Sequence, residues 1–149
     1  MLGLAEFPAQ LREAVAGMNA GQLATPYRQG GWTVRQVVHH CADSHMNALI
    51  RVRLALTEDW PTIKPYDQEA WARLEDGQAA PVEWSLEILQ NLHARWGLML
   101  ESLTDQQWQR GFVHPEGGRM TVEVATLSYA WHSLHHLAHI VRLRERKGW

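Results

Sequence analysis

Apolar positions recur at helical spacing along four long stretches of this chain. The clearest is Val34, Val37, Val38, Cys41, His45, Ala48, Leu49, Val52 and Leu56, a stripe about six turns long. Thr33 and Gln36 fit a capping box at its start, with Trp32 as a hydrophobic staple. It should stop before Asp59-Trp60-Pro61, because proline disfavours helix at the preceding residue. An earlier helix is expected from Pro8 through Leu11, Val15 and Met18 to near Gly21. A third runs from Pro81 to Leu103 on Trp84, Ile88, Leu92, Trp96 and Leu100. The last starts at a Thr121 cap and continues to about Arg146, where Arg142, Arg144, Arg146 and Lys147 complement the helix dipole.

The connections are marked by turn chemistry. Thr25-Pro26-Tyr27 and Gln29-Gly30-Gly31 read as irregular, residues 61–66 as extended, and 67–74 as a short helix capped by Asp67. Residues 77–80 read as a break, 104–110 as a short helical turn, and 112–118 as a loop. No segment has strand alternation. The pattern predicts an all-α protein, an up-down four-helix bundle with one long middle connection, where sites form from side chains on facing helices.

Composition narrows the function classes. At 149 residues the chain is expected to be a single domain, 1–149, with a core that needs no staples. A net charge of −2 gives no basic footprint, so no nucleic acid partner is expected. The single cysteine, Cys41, provides neither a disulfide framework nor a cysteine zinc site and fits a reducing compartment. No signal peptide and no apolar run of membrane-spanning length is seen, so the expectation is a soluble, cytoplasmic protein with no membrane partner. Eight tryptophans are many for this length, and Trp32, Trp71 and Trp131 are candidates to wall a pocket.

The candidate chemistry lies in the last helix. Four of the nine histidines fall between His132 and His139, inside the run Trp131-His132-Ser133-Leu134-His135-His136-Leu137-Ala138-His139. His132/His136 and His135/His139 are each four apart, one turn apart on one helix face. Neutral imidazole is the commonest protein ligand for zinc and related ions, and such a pair supplies half of a site. A third ligand must come from His39, His40, His45, His93 or His114, and periodicity does not choose between His40 and His45. His40 shares a narrow polar strip with Gln36, Asp43, Ser44, Asn47 and Arg51, which is either a solvated face or the lining of a cavity. Asp43 is a candidate general base, and Cys41 points into the apolar stripe as core.

The phrase Gly31-Trp32-Thr33-Val34-Arg35-Gln36-Val37-Val38-His39-His40, followed by Ala42-Asp43-Ser44-His45-Met46-Asn47, resembles the DinB/YfiT-like superfamily. The likeness extends through Leu56-Thr57-Glu58, Pro61 to Tyr66, Phe112 to Pro115 and Tyr129-Ala130-Trp131-His132, then His135-His136 and Ala138-His139-Ile140. It implies a four-helix bundle, commonly a homodimer, with one divalent metal ion per chain, zinc or nickel, held by His40, His132 and His136. His135, His139, Asn47, Arg51 and Trp131 are then expected around the ion or in the substrate pocket. His39, His45 and His114 are expected to be structural or on the substrate side, and His93 unrelated.

Three neutral histidines leave an ion its double charge and an open position, the arrangement of a catalytic site. Such a site can activate water for hydrolysis or a thiol for attack on an electrophile. The histidine helix lacks the glutamate of an HExxH motif, since Ser133 stands in its place. The resemblance includes both metal-dependent hydrolases and thiol-dependent transferases. The expectation is an S-transferase joining a low-molecular-weight thiol of the bacillithiol type to a small electrophile. A hydrolase is the alternative, and a non-catalytic metal-binding bundle the second. Arg51, Arg53 or Lys64 are candidates to hold the thiol's carboxylates.

Overall fold

The computed structural model describes residues 2–149. Four long helices carry the structure: α1 (Leu2–Val15), α3 (Val34–Thr57), α6 (Val82–Glu101) and α8 (Val122–Lys147). Short helices α2 (Ala20–Leu23), α4 (Gln68–Ala72), α5 (Glu75–Ala79) and α7 (Asp105–Trp108) lie in the connections. Strands β1 (Gly111–His114) and β2 (Gly118–Thr121) form an antiparallel hairpin before α8.

The start of α3 follows the sequence closely. Thr33 Oγ1 accepts from Gln36 N at 3.1 Å, and Gln36 Oε1 accepts from Thr33 N at 3.0 Å, a closed capping box. The Asp67 cap on α4 and the Thr121 cap on α8 also form, and α8 ends on Gly148 at φ 67.

The first helix differs from expectation. It begins at Leu2, so Pro8 is an interior residue, and it stops at Val15. A separate short helix follows with an Asn19/Gln22 capping box. Proline has no N–H to offer the carbonyl four residues back, so the Leu4 carbonyl is left without its helical partner. His93 Nδ1 donates to it instead, at 2.7 Å. Two further expectations are corrected: the expected break at 77–80 is helical through Ala79, as part of α5, and 112–118 is a hairpin rather than a loop. Each of the two strands is four residues long, too short for alternation to register. A Cβ on Gly111 would run into the Met120 carbonyl and the Trp60 ring, so the hairpin needs glycine there. The extended stretch from Pro61 pairs with the hairpin through Ile63 N to Val113 O and Val113 N to Pro61 O.

The bundle is four-helical, and the order of its helices is not a simple alternation. α1 lies against α6 and α8, and α3 against α6 and α8, leaving α1 diagonal to α3 and α6 diagonal to α8. Arg144 near the end of α8 donates to the Ala14 carbonyl near the end of α1, so these two run parallel. The pairs His39–Ser85 and His45–His93 make α3 and α6 parallel. The directions are therefore up, down, down, up, and the long connection 58–81 returns the chain so that α6 can start beside the start of α3. Arg35 Nη1 to Ala80 O (2.7 Å) and Gln36 Nε2 to Ala72 O (2.8 Å) fasten that connection to α3.

Two apolar cores fill the bundle. One contains Phe7, Leu11, Val34, Val37, Val38, Cys41, Leu86, Leu89, Ile140 and Leu143. The other contains Leu4, Ala48, Leu49, Val52, Trp96, Leu100, Phe112 and Val122. His45 on α3, His93 on α6 and the four histidines of α8 fall between the residues of the two cores, with His39 and His40 beside the last α3 residues of the first core, so a polar layer crosses the middle of the bundle. Among the described residues no helix is long and apolar enough to cross a membrane.

Candidate metal centre

The polar layer opens on one side between α3 and α8. His40 reaches across from α3, and His132 and His136 stand one turn apart on α8. His132 Nε2 lies 3.2 Å from His40 Nε2 and 3.1 Å from His136 Nε2. The three residues each offer a ring nitrogen within 4.8 Å of the others. Ligands about 2.0–2.1 Å from one ion, at tetrahedral to octahedral angles, sit about 2.9–3.4 Å apart, which brackets the two shortest separations.

Burial keeps these rings neutral. It lowers His40 to about 3, with His136 adding to the shift, and lowers His132 to about 3, with His40 and His135 adding. His136 falls to about 2 through burial first and then His132, His135 and His139. Neutral imidazole is the form that binds metal. The three nitrogens cannot satisfy one another, because His132 Nε2 faces two neighbours with one lone pair or one proton. His136 Nδ1 is buried with no partner. The donor set fits a borderline divalent ion that accepts nitrogen ligands.

A cavity of about 340 Å³ stands over the three histidines. Trp32 forms one wall, its ring 4.6 Å from that of His40 and 6.4 Å from that of His136. Its indole N–H donates to Glu69 Oε2 at 3.1 Å. His135 and His139 line the mouth with their Nε2 atoms 3.1 Å apart. Trp131 stacks on His135 at 4.8 Å and Tyr27 on His139 at 4.0 Å. Arg28 and Gln68 complete the rim.

The expected site residues divide. His40, His132 and His136 are brought together, with His135, His139 and Trp131 on the pocket's edge. Asp43, Asn47 and Arg51 are not on its lining. Asp43 makes no hydrogen bond to the three histidines, and burial, then Asp76, raises its carboxyl to about 6. Asn47 Nδ2 donates to the Asp43 carbonyl at 2.8 Å and Arg51 Nη2 to the Lys64 carbonyl at 3.4 Å, so both serve the backbone. Arg53 and Lys64 are exposed elsewhere, and the cation at the rim is Arg28. Trp71 packs at a tilt against Tyr66, ring centres 4.4 Å apart, instead of walling the pocket.

His39 and His114 make structural bonds. His39 Nε2 donates to the Ala80 carbonyl at 3.0 Å, and its Nδ1 accepts from Ser85 Oγ at 2.7 Å. His114 Nδ1 accepts from the N–H groups of Glu116 and Gly117 inside the hairpin. His45 is behind His132, with its Nε2 3.2 Å from His132 Nδ1. His93, expected to be unrelated, is joined to this layer through a 2.7 Å contact from its Nε2 to His45 Nδ1. The sequence reading missed the pocket roles of Tyr27, Arg28, Gln68 and Glu69. They arrive on connections and a short helix, where no periodicity marks which side faces inward.

The DinB superfamily profile matches residues 4–140. A Bacillus subtilis protein described as "Putative metal-dependent hydrolase YfiT" is 56% identical over 147 residues, covering 98% of this chain and 83% of its own. A Geobacillus kaustophilus relative with the same kind of description is 52% identical over 144 residues, covering 95% of this chain and 80% of its own. Among solved structures, one described as "YfiT from Bacillus subtilis is a probable metal-dependent hydrolase with an unusual four-helix bundle topology" superposes with a TM-score of 0.97. It is 55% identical and spans 99% of this chain and 85% of that one.

Proposed function

Since the chain belongs to the DinB superfamily, we propose that it is a metal-dependent enzyme whose ion, zinc or nickel, is held by His40, His132 and His136. The convergence of three neutral ring nitrogens beneath an open cavity carries this reading. An ion held by uncharged ligands keeps its full double charge and supplies Lewis acidity that favours the ionised form of a thiol or water beside it.

The reaction we assign is transfer of a low-molecular-weight thiol of the bacillithiol type to a small electrophile. One observation favours it over hydrolysis. Among the described residues, Glu69 is the only carboxylate lining the cavity, and it accepts the Trp32 N–H. Water, the weaker acid, needs a general base more than a thiol does, whose pKa starts near about 8.5. Trp32 shields one side of the cavity from water, and Arg28 with His135 and His139 offers donors at the rim for anionic groups of a thiol cosubstrate. The names of the relatives favour the hydrolase, which is the second reading.

Consumption of monochlorobimane by the metal-loaded protein, with bacillithiol, with glutathione and with no thiol, separates the two. The transferase reading expects acceleration that needs both metal and thiol and disappears in His40→Ala. Thiol-independent cleavage of ester or amide probes would replace it with the hydrolase. Metal binding with neither activity would leave a non-catalytic bundle.

We further propose a homodimer formed through α8. Val124, Leu127, Trp131, Leu134 and Val141 are exposed apolar residues at steps of three, four, three and seven. That spacing is the seam by which one helix packs against another. Trp131 belongs to both this stripe and the pocket's rim, so a second copy would sit beside the site entrance.

A further inference from the structure

Behind the candidate ligands, three imidazoles form a line that ends on a backbone carbonyl. His132 Nδ1 meets His45 Nε2 at 3.2 Å, His45 Nδ1 meets His93 Nε2 at 2.7 Å, and His93 Nδ1 meets the Leu4 carbonyl at 2.7 Å. The line has a direction, because a carbonyl oxygen can only accept. His93 therefore carries its proton on Nδ1. As a neutral ring it then presents a bare Nε2, to which His45 must donate from Nδ1. His45 in turn presents a bare Nε2, to which His132 must donate from Nδ1. His132 is left with a lone pair on Nε2, the atom that faces His40 and His136.

The neutrality of the intermediate rings has its own physical cause. His45 is fully buried, and burial followed by the neighbouring histidines holds it well below its ordinary value. Burial also lowers His93. Phe7 stacks on His45 at 5.2 Å, and Trp96 packs edge-on against both rings, at 6.3 Å from His45 and 5.9 Å from His93. The far end of the line is available because of Pro8, whose missing N–H leaves the Leu4 carbonyl without a helical donor. A carbonyl cannot take up a proton and pass it on, so the line is a fixed polarised chain and not a route for protons to solvent.

We propose that His45 and His93, anchored on the Leu4 carbonyl that Pro8 leaves free, are positioning residues that hold His132 in the tautomer whose Nε2 faces the ion. The proposal rests on the metal-centre reading above. Partners of this kind fix the ring orientation and raise the basicity of a metal ligand, and their loss costs about 10–100-fold in affinity.

Nitrogen-15 NMR of the imidazoles in metal-free protein reads the chain directly. His132, His45 and His93 are each expected as the Nδ1–H tautomer. In His93→Phe, with folding checked by circular dichroism, His45 loses its acceptor and His132 should become a mixture. Its zinc dissociation constant, measured against a chromophoric chelator, should rise about 10–100-fold. His93→Gln, whose side-chain oxygen accepts from His45, should restore most of the affinity. An Nε2–H tautomer at His132 in the unmodified protein would overturn the proposal without any variant. So would a folded His93→Phe that binds zinc as tightly as the unmodified chain, and that result leaves the three-histidine centre standing. Failure of the unmodified protein to bind zinc, nickel or any divalent ion removes the metal-centre reading and this proposal together.

Discussion

Five histidines, His39, His40, His45, His93 and His136, are buried, and burial is the leading cause of a lowered proton affinity at each. In the unfolded chain the same rings titrate near about 6.5. The unfolded state therefore binds more protons than the folded state below that pH. Stability from these groups is complete above about 6.5 and is lost as the pH falls toward about 3, where His40 begins to protonate in place. Urea midpoints of the metal-free protein should fall progressively between pH 7 and pH 5, and a flat or rising profile would contradict the burial of these rings. At this scale the pair His132/His136 was readable from its four-residue spacing, while the choice between His40 and His45 was not. The structure gives the reason. Both rings address His132, His40 at Nε2 and His45 at Nδ1, so both have to face inward from α3. The resemblance, not the spacing, separated them.

Elements in this protein are delimited by side-chain caps, and the site depends on where α3 begins. Thr33 and Gln36 close the N-terminus of α3 seven residues before His40, and Gln36 also donates to the Ala72 carbonyl of α4. Thr33→Ala should cost about 1 kcal/mol of unfolding free energy, read as a lower urea midpoint with an unchanged slope. A change within error would show that the cap contributes nothing to this helix. The Thr33/Gln36 capping box, the proline after α3, and the Asp67 and Thr121 caps made α3, α4 and α8 legible. The start of α1 was not, because Pro8 looks like a first-turn residue, while the Leu4 carbonyl that it leaves without a helical donor accepts from His93, 89 residues further along the chain than Leu4. The hairpin escaped for a different reason: its strands are fixed by turn geometry and by the close approach at Gly111, neither of which leaves a periodic trace.

On the scale of the whole molecule, an up, down, down, up order puts α3 and α8 side by side and antiparallel, with the histidine layer between two apolar cores. The four-helix bundle and its long middle connection were visible in the pattern. The diagonal placement of successive helices was not, since all four apolar stripes are compatible with either order. The same architecture leaves the outer face of α8 bare. Leu127→Glu with Leu134→Glu should shift the protein to a monomer in sedimentation or light scattering without changing its helical content. A monomeric unmodified protein would remove the dimer reading.

In the proposed function His40, His132 and His136 together hold one divalent ion. The most direct test is elemental analysis of the untagged protein after purification and after reloading with zinc or nickel, beside His40→Ala and His136→Ala variants with folding verified. About one ion per chain in the unmodified protein, lost in both variants, is the predicted result. An unmodified protein that takes up no ion after reloading, or variants that keep theirs, would contradict the three-histidine centre.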